Sequence, residues 1–233
     1  MKKHLKSIAI LFVCISTVSL NAQSNDRIEL FNGTDLTGWY ADIPEADKNP
    51  DITPSFIVRD GKLVSLGTPL GHLISTNEYQ DYRLELDYRF SAEPGNCGVL
   101  IHVSTPRMLY KMFPKSIEVQ MEHKNAGDFW VIGEDITVEN MDQRRPKLEG
   151  QQYGGTENDA RHILNLTDDS EKPLGDWNKM IIEAKGDEIT VWLNGDLVNH
   201  GTKATVTKGK IALQAEGAEV EFKNIFLTSL NKN

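Results

Sequence analysis

Apolar and polar residues alternate along most of the chain with a period of two, not with the period of a helix. Residues 83–90 place four apolar side chains on one face and four charged ones on the other. Residues 98–104 and 117–122 follow a similar pattern. Such alternation is typical of a strand with one buried face. Further strands are predicted at residues 179–185, 188–193, 197–198, 210–216 and 219–228.

The connections between these segments also favour a β fold. Asn194-Gly195 stands between two alternating segments and is a strong signal for a tight hairpin. Many short strands joined by turns rich in Gly, Asp and Asn predict a sandwich of two antiparallel sheets. We find no internal repeat and no linker that would divide the chain. Residues 23–233 are therefore predicted to form one all-β domain.

Two stretches lack this periodicity. Residues 124–176 hold charges, glycines and Asn/Asp clusters, and residues 42–54 are rich in Pro and Asp. A loop as long as the first one, inside a compact domain, is usually functional or disordered. Because it directly follows the strand at 117–122, we expect it to cover the side chains which that strand carries.

The first 22 residues have the layout of a secretory signal peptide. Three lysines precede an apolar run at residues 8–13, and the small residue Ala22 ends the segment. Such a segment is too short to span a bilayer and is removed on export. The bulky Val13 argues against lipidation of Cys14. We therefore expect a periplasmic or secreted protein that begins at Gln23 and has no membrane span.

The net charge limits which partners the protein can bind, and the cysteine content limits how its fold is stabilised. The signal peptide carries three lysines and no acids, so its removal changes the net charge from −9 to −12. A strongly acidic surface disfavours binding to nucleic acid and to anionic membranes. Only Cys97 lies beyond residue 22, so no intrachain disulfide is expected despite export. A chain of this length can be stabilised by its core alone.

The outward faces of the predicted strands carry an unusual set of polar residues. Idle sheet faces are usually rich in Lys and Thr, whereas these positions hold Arg, His, Gln and Glu, which supply both hydrogen-bond donors and acceptors. They indicate either a solvated surface or a sugar-binding surface. The residues are Arg89, His102, Glu118, Gln120, Glu122, Gln214 and Glu216.

The histidines are interpreted in two groups. His102 could act as a base or as a metal ligand, because an imidazole near a carboxylate titrates near neutrality. His72, His162 and His200 have no partner at a suggestive spacing and are predicted to lie at the surface. No HxxxH, CxxC or EF-hand spacing predicts a metal site, and no Gly-rich loop predicts an organic cofactor.

One segment comes close to a catalytic motif. Glu118 and Glu122 share a strand face with Cα atoms about 13 Å apart at roughly 3.3 Å per residue, whereas a retaining glycosidase holds its carboxyl groups about 5–5.5 Å apart. Laminarinase-like glycanases place such a pair in a Glu-x-Asp-x-Glu strand, and here Gln120 replaces the central Asp. A hydrolytic pair stays open as a hypothesis. Trp130 is either a stacking platform for a sugar ring or a core residue of the long loop.

A series of short segments in order resembles the 3-keto-disaccharide hydrolase domain family. Each segment is weakly specific, but together they cover nearly the whole mature chain. The segments are FNGTDLTGW at 31–39, VRDGKL at 58–63, YQDYRL at 79–84, YRF at 88–90, GNCGV at 95–99, IEVQ at 117–120, GDFW at 127–130, WN at 177–178, VWLNG at 191–195, IALQAEG at 211–217 and EFKNI at 221–225.

The resemblance implies a fold and a chemistry. The fold would be a jelly roll of the concanavalin A-like or laminin G-like kind. The substrates would be small glycosides, such as disaccharides, whose C3 hydroxyl a partner oxidoreductase has oxidised to a ketone. The ketone acidifies the C2 proton, so that a base can form an enolate from which the group at C1 leaves by β-elimination. Addition of water then gives net hydrolysis.

That reaction needs a general base and a group that stabilises the enolate oxygen. The resemblance implies that Glu118 or His102 is the base. A divalent cation held by His102, Glu118 and Glu216 could polarise the ketone, and no organic cofactor is expected. Cys97 stands where the family usually has serine, and a thiol is a poorer hydrogen-bond donor. The residues expected to hold substrate are Arg89, Asn96, Gln120, Asp128, Trp130, Gln214 and Glu216.

Three functional hypotheses stay open at this point. The leading one is an exported 3-keto-glycoside hydrolase or lyase. The second is a non-catalytic carbohydrate-binding jelly roll, because fold does not fix function. The third is a retaining glycanase that uses Glu118 and Glu122 and cuts unoxidised polysaccharide.

Overall fold

The structure is a computed structural model that describes residues 27–231. The predicted signal peptide at residues 1–22 lies outside the described residues. The helical segments are a 3-10 helix at Pro44–Asp47 and an α-helix, α1, at Met141–Arg144. Neither of these two segments is long and apolar enough to cross a membrane. The strands are β1 (Arg27–Glu29), β2 (Trp39–Asp42), β3 (Phe56–Arg59), β4 (Lys62–Ser65), β5 (Gly71–Ser75), β6 (Tyr79–Gln80), β7 (Tyr82–Phe90), β8 (Gly98–Val103), β9 (Ser116–Gln120), β10 (Phe129–Ile132), β11 (Thr137–Val138), β12 (His162–Ile163), β13 (Asn178–Lys185), β14 (Glu188–Leu193), β15 (Asp196–Thr202), β16 (Lys208–Ala215) and β17 (Val220–Ser229).

The strands form two antiparallel sheets that pack face to face. The nine-stranded sheet has the order β11-β15-β14-β13-β7-β17-β4-β3, with β1 also paired to β17. The eight-stranded sheet has the order β12-β10-β9-β8-β16-β5-β2, with β6 also paired to β16. The predicted all-β, two-sheet antiparallel jelly-roll sandwich is confirmed.

Alternation along the strands puts the core between the sheets. On β7, Leu84, Leu86 and Tyr88 point inward and are buried, and the charged residues between them point outward. On β9, Ile117 and Val119 pack into the same core, which leaves the even-numbered residues of that strand on the outer face. The period of two therefore sets which side chains can form a surface site.

The Asn194-Gly195 hairpin is present as predicted. Both residues have positive φ, at 54° and 104°, and they join β14 to β15 directly. That backbone is the one whose twist matches the twist of the flanking strands. The turn thereby fixes the register of the two strands that follow each other at the edge of the nine-stranded sheet.

The aperiodic stretch at 124–176 is not a roof over the strand before it. It contains β10 and β12, which pair side by side and extend the eight-stranded sheet beyond β9. It also contains β11 and α1. The expectation of one long covering loop was wrong because these strands are too short to show a period. The loop at residues 104–115, between β8 and β9, borders the outer face through Tyr110 and Phe113.

Candidate active site

An open cleft of about 230 Å³ lies on the outer face of the eight-stranded sheet. Strands β9 and β10 form its floor, together with Asn96 just before β8 and Glu216 just after β16. The 104–115 loop forms its rim. Even-numbered residues of β9 reach it because the odd-numbered ones are in the core. The lining residues are Asn96, Tyr110, Phe113, Glu118, Gln120, Trp130, Ile132, Arg161 and Glu216.

The Glu118 carboxyl lies over Gly98 on the neighbouring strand. A Cβ atom at position 98 would be 2.2 Å from Glu118 Oε1, so only glycine leaves room for this carboxyl. The side chain is 5% exposed. Burial first, and then the negative charge of Glu216, raise the pKa of Glu118 to about 8 against the opposing positive charge of Arg161.

Glu216 supplies the second carboxyl of the cleft, just beyond the end of β16. Asn96 Nδ2 donates to its Oε2 at 2.8 Å, and the two residues also form a backbone bridge. Burial raises the pKa of Glu216 to about 7, and the charge of Glu122 acts in the same direction. Two carboxyls with raised pKa values in one cleft are an arrangement that can accept and donate protons near neutral pH.

Gln120 ties the cleft residues together. The groups around its amide fix which end is oxygen, because the oxygen must accept from Trp130 Nε1 at 3.2 Å. The amide nitrogen then donates to Asn96 Oδ1 at 3.0 Å and to the Cys97 carbonyl at 2.8 Å, and lies 3.3 Å from Glu118 Oε1. Gln120 therefore positions both the Asn96 amide and the Glu118 carboxyl.

Trp130 is held in place from behind. The His162 ring stacks on the indole with a centroid distance of 4.4 Å and an interplanar angle of 5°. His162 Nε2 is 2.5 Å from Asp128 Oδ2, and the backbone NH of Asn165 donates to the other oxygen at 2.6 Å. Asp128 is buried and supports this stack; it does not line the cleft. Because His162 covers one face of the indole, Trp130 presents only its other face and its edge.

Arg161 and Tyr110 are cleft residues that the sequence did not indicate. The Arg161 guanidinium carbon is 5.3 Å from the centroid of the Trp130 ring and 5.5 Å from that of Tyr110. Within residues 27–231 it forms no ion pair. It thus adds a positive charge without a carboxylate partner to the cleft, and this charge acts on Glu118. Both residues lie in segments without periodicity, so no pattern marks the direction of their side chains.

His102 does not reach the cleft. The pairing of β8 with β16 shifts register between Lys210 and Ala212, and His102 has a positive φ of 55°. This bulge turns the ring inward, where it packs edge-on against Tyr82 with centroids 5.7 Å apart. Burial lowers the pKa of His102 to about 4. The expectation that His102 faces outward was wrong, because an alternating pattern cannot show a bulge.

Arg89 and Glu122 are also placed away from the cleft lining. Arg89 is on the outer face of the opposite sheet, where it pairs with Glu221 at 2.7 Å and lies over the Trp177 ring. Glu122 is beyond the end of β9, where it accepts a hydrogen bond from Asn125 Nδ2 at 2.8 Å. Glu216, not Glu122, is the carboxyl that accompanies Glu118.

Gln214 lies on the same outer face as Glu216, one alternation earlier along β16. It is buried and borders a small cavity next to the cleft. Its cross-strand partner is His72. The expectation that His72 is a surface residue was wrong, because its side chain is 1% exposed beneath the 104–115 loop.

The metal site expected from the resemblance does not fit these positions. It required His102, which lies in the core, beside Glu118 and Glu216. Among residues 27–231, no three His, Cys, Asp or Glu side chains are grouped so that they could hold a metal ion.

Comparison with known proteins assigns the family. The sequence profile of the 3-keto-alpha-glucoside-1,2-lyase-like domain matches residues 26–228. The chain belongs to this family. The assignment confirms the resemblance found in the sequence and makes the chain a carbohydrate-acting jelly-roll protein. No curated protein sequence matches the chain.

Solved structures support the fold. Two proteins from Parabacteroides distasonis, each described as a candidate glycosyl hydrolase, are 24% and 22% identical, with TM-scores of 0.60 and 0.58. Each covers 88% of this chain, and the matches span 94% and 100% of those chains. The carbohydrate-binding module CBM66 from Bacillus subtilis is 13% identical, with a TM-score of 0.55, over 83% of this chain and 96% of that one. At these identities the likeness shows the jelly-roll fold.

Proposed function

We propose that this protein cleaves 3-keto-glycosides by β-elimination, with Glu118 as the base and Glu216 as the proton donor. The observation that carries the proposal is the pair of buried carboxyls whose pKa values are raised to about 8 and about 7. Between these values the pair holds about one proton; because Glu118 has the higher pKa, the form with Glu118 ionised and the proton on Glu216 is about one in ten, and this is the form that reacts. An exposed sugar-binding surface has no need of such a pair.

The first step is removal of the C2 proton. Glu118 takes this proton, and the electron pair of the C2–H bond moves into the C2–C3 bond while the C3 carbonyl becomes an enolate. The Arg161 guanidinium, which has no carboxylate partner among the described residues, is the group best suited to stabilise the enolate oxygen. A fixed positive charge in a partly buried site acts this way without reorganising.

The second step is departure of the leaving group. The enolate collapses to a C1–C2 double bond conjugated with the C3 ketone, and the bond from C1 to the glycosidic oxygen breaks. Glu216 donates its proton to that oxygen, and Asn96 holds Glu216 in place by its hydrogen bond at 2.8 Å. The proton on Glu118 then passes to solvent or, when water adds at C1, back to C2, which gives net hydrolysis.

The glycanase hypothesis loses its predicted pair, because Glu122 is engaged with Asn125 and is not part of the cleft lining. A single carboxyl pair at Glu118 and Glu216 would still be compatible with hydrolysis of an unoxidised sugar. The two chemistries differ in substrate: elimination requires the C3 ketone, whereas hydrolysis does not.

The proposed function also includes a partner oxidoreductase and export from the cytoplasm. A 3-keto-glycoside must be supplied by an enzyme that oxidises the C3 hydroxyl of a sugar, so we expect a functional link to such an oxidoreductase. The N-terminal signal layout supports export to the periplasm or beyond.

Product analysis by mass spectrometry tests the proposal. The purified protein is given 3-keto-trehalose, unoxidised trehalose and a β-glucan in separate reactions. We expect cleavage of the keto sugar alone, and at least about a 100-fold loss of rate in Glu118→Gln, the usual cost of removing a general base. Glu29→Gln, which changes an exposed carboxylate on β1, is the control and should retain activity.

The other outcomes have clear meanings. Cleavage of the β-glucan would assign hydrolysis to the carboxyl pair. Binding of sugars with no cleavage of any substrate would make the cleft a carbohydrate-binding surface.

A further inference from the structure

A group of buried polar side chains without partners lies next to the cleft. On the outer face of the eight-stranded sheet, His72 on β5 faces Gln214 on β16 and, on its other side, Asp42 on β2. His72 and Gln214 are 1% and 2% exposed. Among the described residues, both ring nitrogens of His72, both amide atoms of Gln214 and Asp42 Oδ2 have no hydrogen-bond partner.

Such a group is costly unless something binds it. Leaving one buried polar group unsatisfied costs about 1–3 kcal/mol, and the large majority of buried polar side-chain atoms in proteins have a partner. The cavity beside His72 and Gln214 has a volume of about 10 Å³, which is room for about one water molecule. One water cannot satisfy all of these atoms.

Phe113 separates this cavity from the open cleft. Its ring borders both spaces, together with Glu216, and lies edge-on to the His72 ring with centroids 5.9 Å apart. Phe113 belongs to the 104–115 loop, and its backbone hydrogen bonds are to Leu109 of the same loop. Displacing the Phe113 ring would therefore break no hydrogen bond of the sheet and would join the two spaces.

The unpaired polar atoms determine which class of ligand could bind beside them. Burial lowers the pKa of His72 to about 4, so at neutral pH the ring is uncharged and offers one donor and one acceptor. The Gln214 amide offers two donors and one acceptor. Neighbouring hydroxyls of a sugar ring, each both donor and acceptor, match this mixture. An anion would be repelled by the Asp42 carboxylate, since Arg107 is already paired with that carboxylate, and an apolar group would leave every atom unpaired.

We propose that His72 and Gln214 form a second sugar subsite, which opens when Phe113 turns away and which binds the sugar unit that leaves with the glycosidic oxygen. The proposal rests on the proposed function. Glu216 links the two sites, because it borders both the cleft and the cavity. A glycosidic oxygen held at Glu216 would direct the leaving sugar under Phe113, while the reacting ring stays above Glu118.

Kinetics with two substrates tests the subsite. One substrate is 3-keto-trehalose, whose leaving group is a hexose, and the other is methyl 3-keto-α-glucoside, whose leaving group is too small to reach His72. We expect His72→Leu and Gln214→Leu each to raise KM for 3-keto-trehalose about tenfold, the equivalent of one or two lost hydrogen bonds. The KM for the methyl glycoside should stay within about twofold of the wild-type value.

Two further variants keep the test interpretable. Ser75→Ala changes a buried polar residue on the same strand as His72, and the Ser75 hydroxyl bonds to the Asn77 carbonyl and the Ile211 NH. It should alter KM for neither substrate. Phe113→Ala removes the partition, together with its edge contact to the His72 ring, and keeps the polar atoms of His72 and Gln214. It should lower KM for 3-keto-trehalose, and it gives a second readout if the leucine variants fail to fold.

The outcomes separate this proposal from the proposed function. Equal effects of the leucine variants on both substrates, or a loss of thermal stability with both KM values unchanged, would show that the cavity holds only structural water and would overturn the subsite. If the wild-type protein cleaves neither substrate, the proposed function fails. In that case calorimetric binding of unoxidised trehalose decides the subsite: weaker binding by the leucine variants supports it, and equal binding refutes it.

Discussion

Replacing Glu118 with glutamine should stabilise the fold at high pH while it abolishes catalysis. Glutamine has nearly the same shape as glutamate but cannot carry a charge into the cleft floor. The pKa of Glu118 in the folded chain is raised from 4.5 to about 8, mainly by burial. At about 1.4 kcal/mol for each tenfold change in proton affinity, this difference corresponds to at most about 5 kcal/mol.

The sign follows from proton linkage. The folded chain binds the Glu118 proton more tightly than the unfolded chain does, so between pH 4.5 and about 8 the folded state carries more protons. Its stability therefore falls as pH rises through this window and levels off above it. Near pH 5 Glu118 is largely protonated in the folded chain and the substitution should be almost neutral. Near pH 9 its full effect should appear.

Thermal unfolding at two pH values measures this effect. We expect Glu118→Gln to melt about 5–15 °C above the wild-type protein near pH 9, at roughly 2–4 °C per kcal/mol for a chain of this size, and within about 2 °C of it near pH 5. Glu29→Gln, which changes an exposed carboxylate on β1, is the control and should shift neither melting temperature. If Glu118→Gln lowers the melting temperature near pH 9, or shifts it equally at both pH values, Glu118 does not have the buried, proton-holding environment described above.

Three other predictions test the cleft. The pH profile of kcat/KM should be bell-shaped with limbs near pH 7 and pH 8. Glu216→Gln should remove one limb and move the other to lower pH, because a neutral residue at position 216 no longer raises the pKa of Glu118. An unchanged profile would contradict this pairing. Gly98→Ala should lower kcat/KM at least about 100-fold, since the new methyl group would displace the Glu118 carboxyl from 2.2 Å away; full activity would show that the carboxyl has another productive position. Dialysis against EDTA should leave the rate within about twofold, because no third His, Cys, Asp or Glu side chain in residues 27–231 joins the two carboxyls, and a loss restored by Mn²⁺ would place a cation between them.

The alternating pattern was sufficient to predict the strands and the faces of β7 and β9. It placed Glu118 and Gln120 together on an outer face, because a regular strand sends every second residue to the same side. It also put Glu216 on the outward side of the β16 segment. The pattern could not predict that Glu118 and Glu216 share a cleft, because this depends on β9 and β16 lying on either side of β8 in the sheet.

The misplaced residues have identifiable physical causes. His102 was assigned to the wrong face by one bulge. Arg89 faces outward as predicted, but on the other sheet from Glu118, because a sequence pattern does not say which sheet a strand joins. Arg161 and Tyr110 lie outside any period, and in the fold a hydrogen bond of 3.4 Å joins the Arg161 guanidinium to the Tyr110 hydroxyl.

The fate of the C2 hydrogen is the most direct test of the account. A 3-keto-trehalose that carries deuterium at C2 of the oxidised ring is cleaved by the purified protein, and the sugar product is analysed by mass spectrometry against reactions without enzyme and with Glu118→Gln. If Glu118 removes the C2 proton before the glycosidic bond breaks, the product of the wild-type reaction loses its deuterium, and neither control loses it at a comparable rate. If the product keeps its deuterium and the labelled substrate is also cleaved as fast as the unlabelled one, the bond is cleaved without proton removal at C2, and the elimination mechanism is wrong.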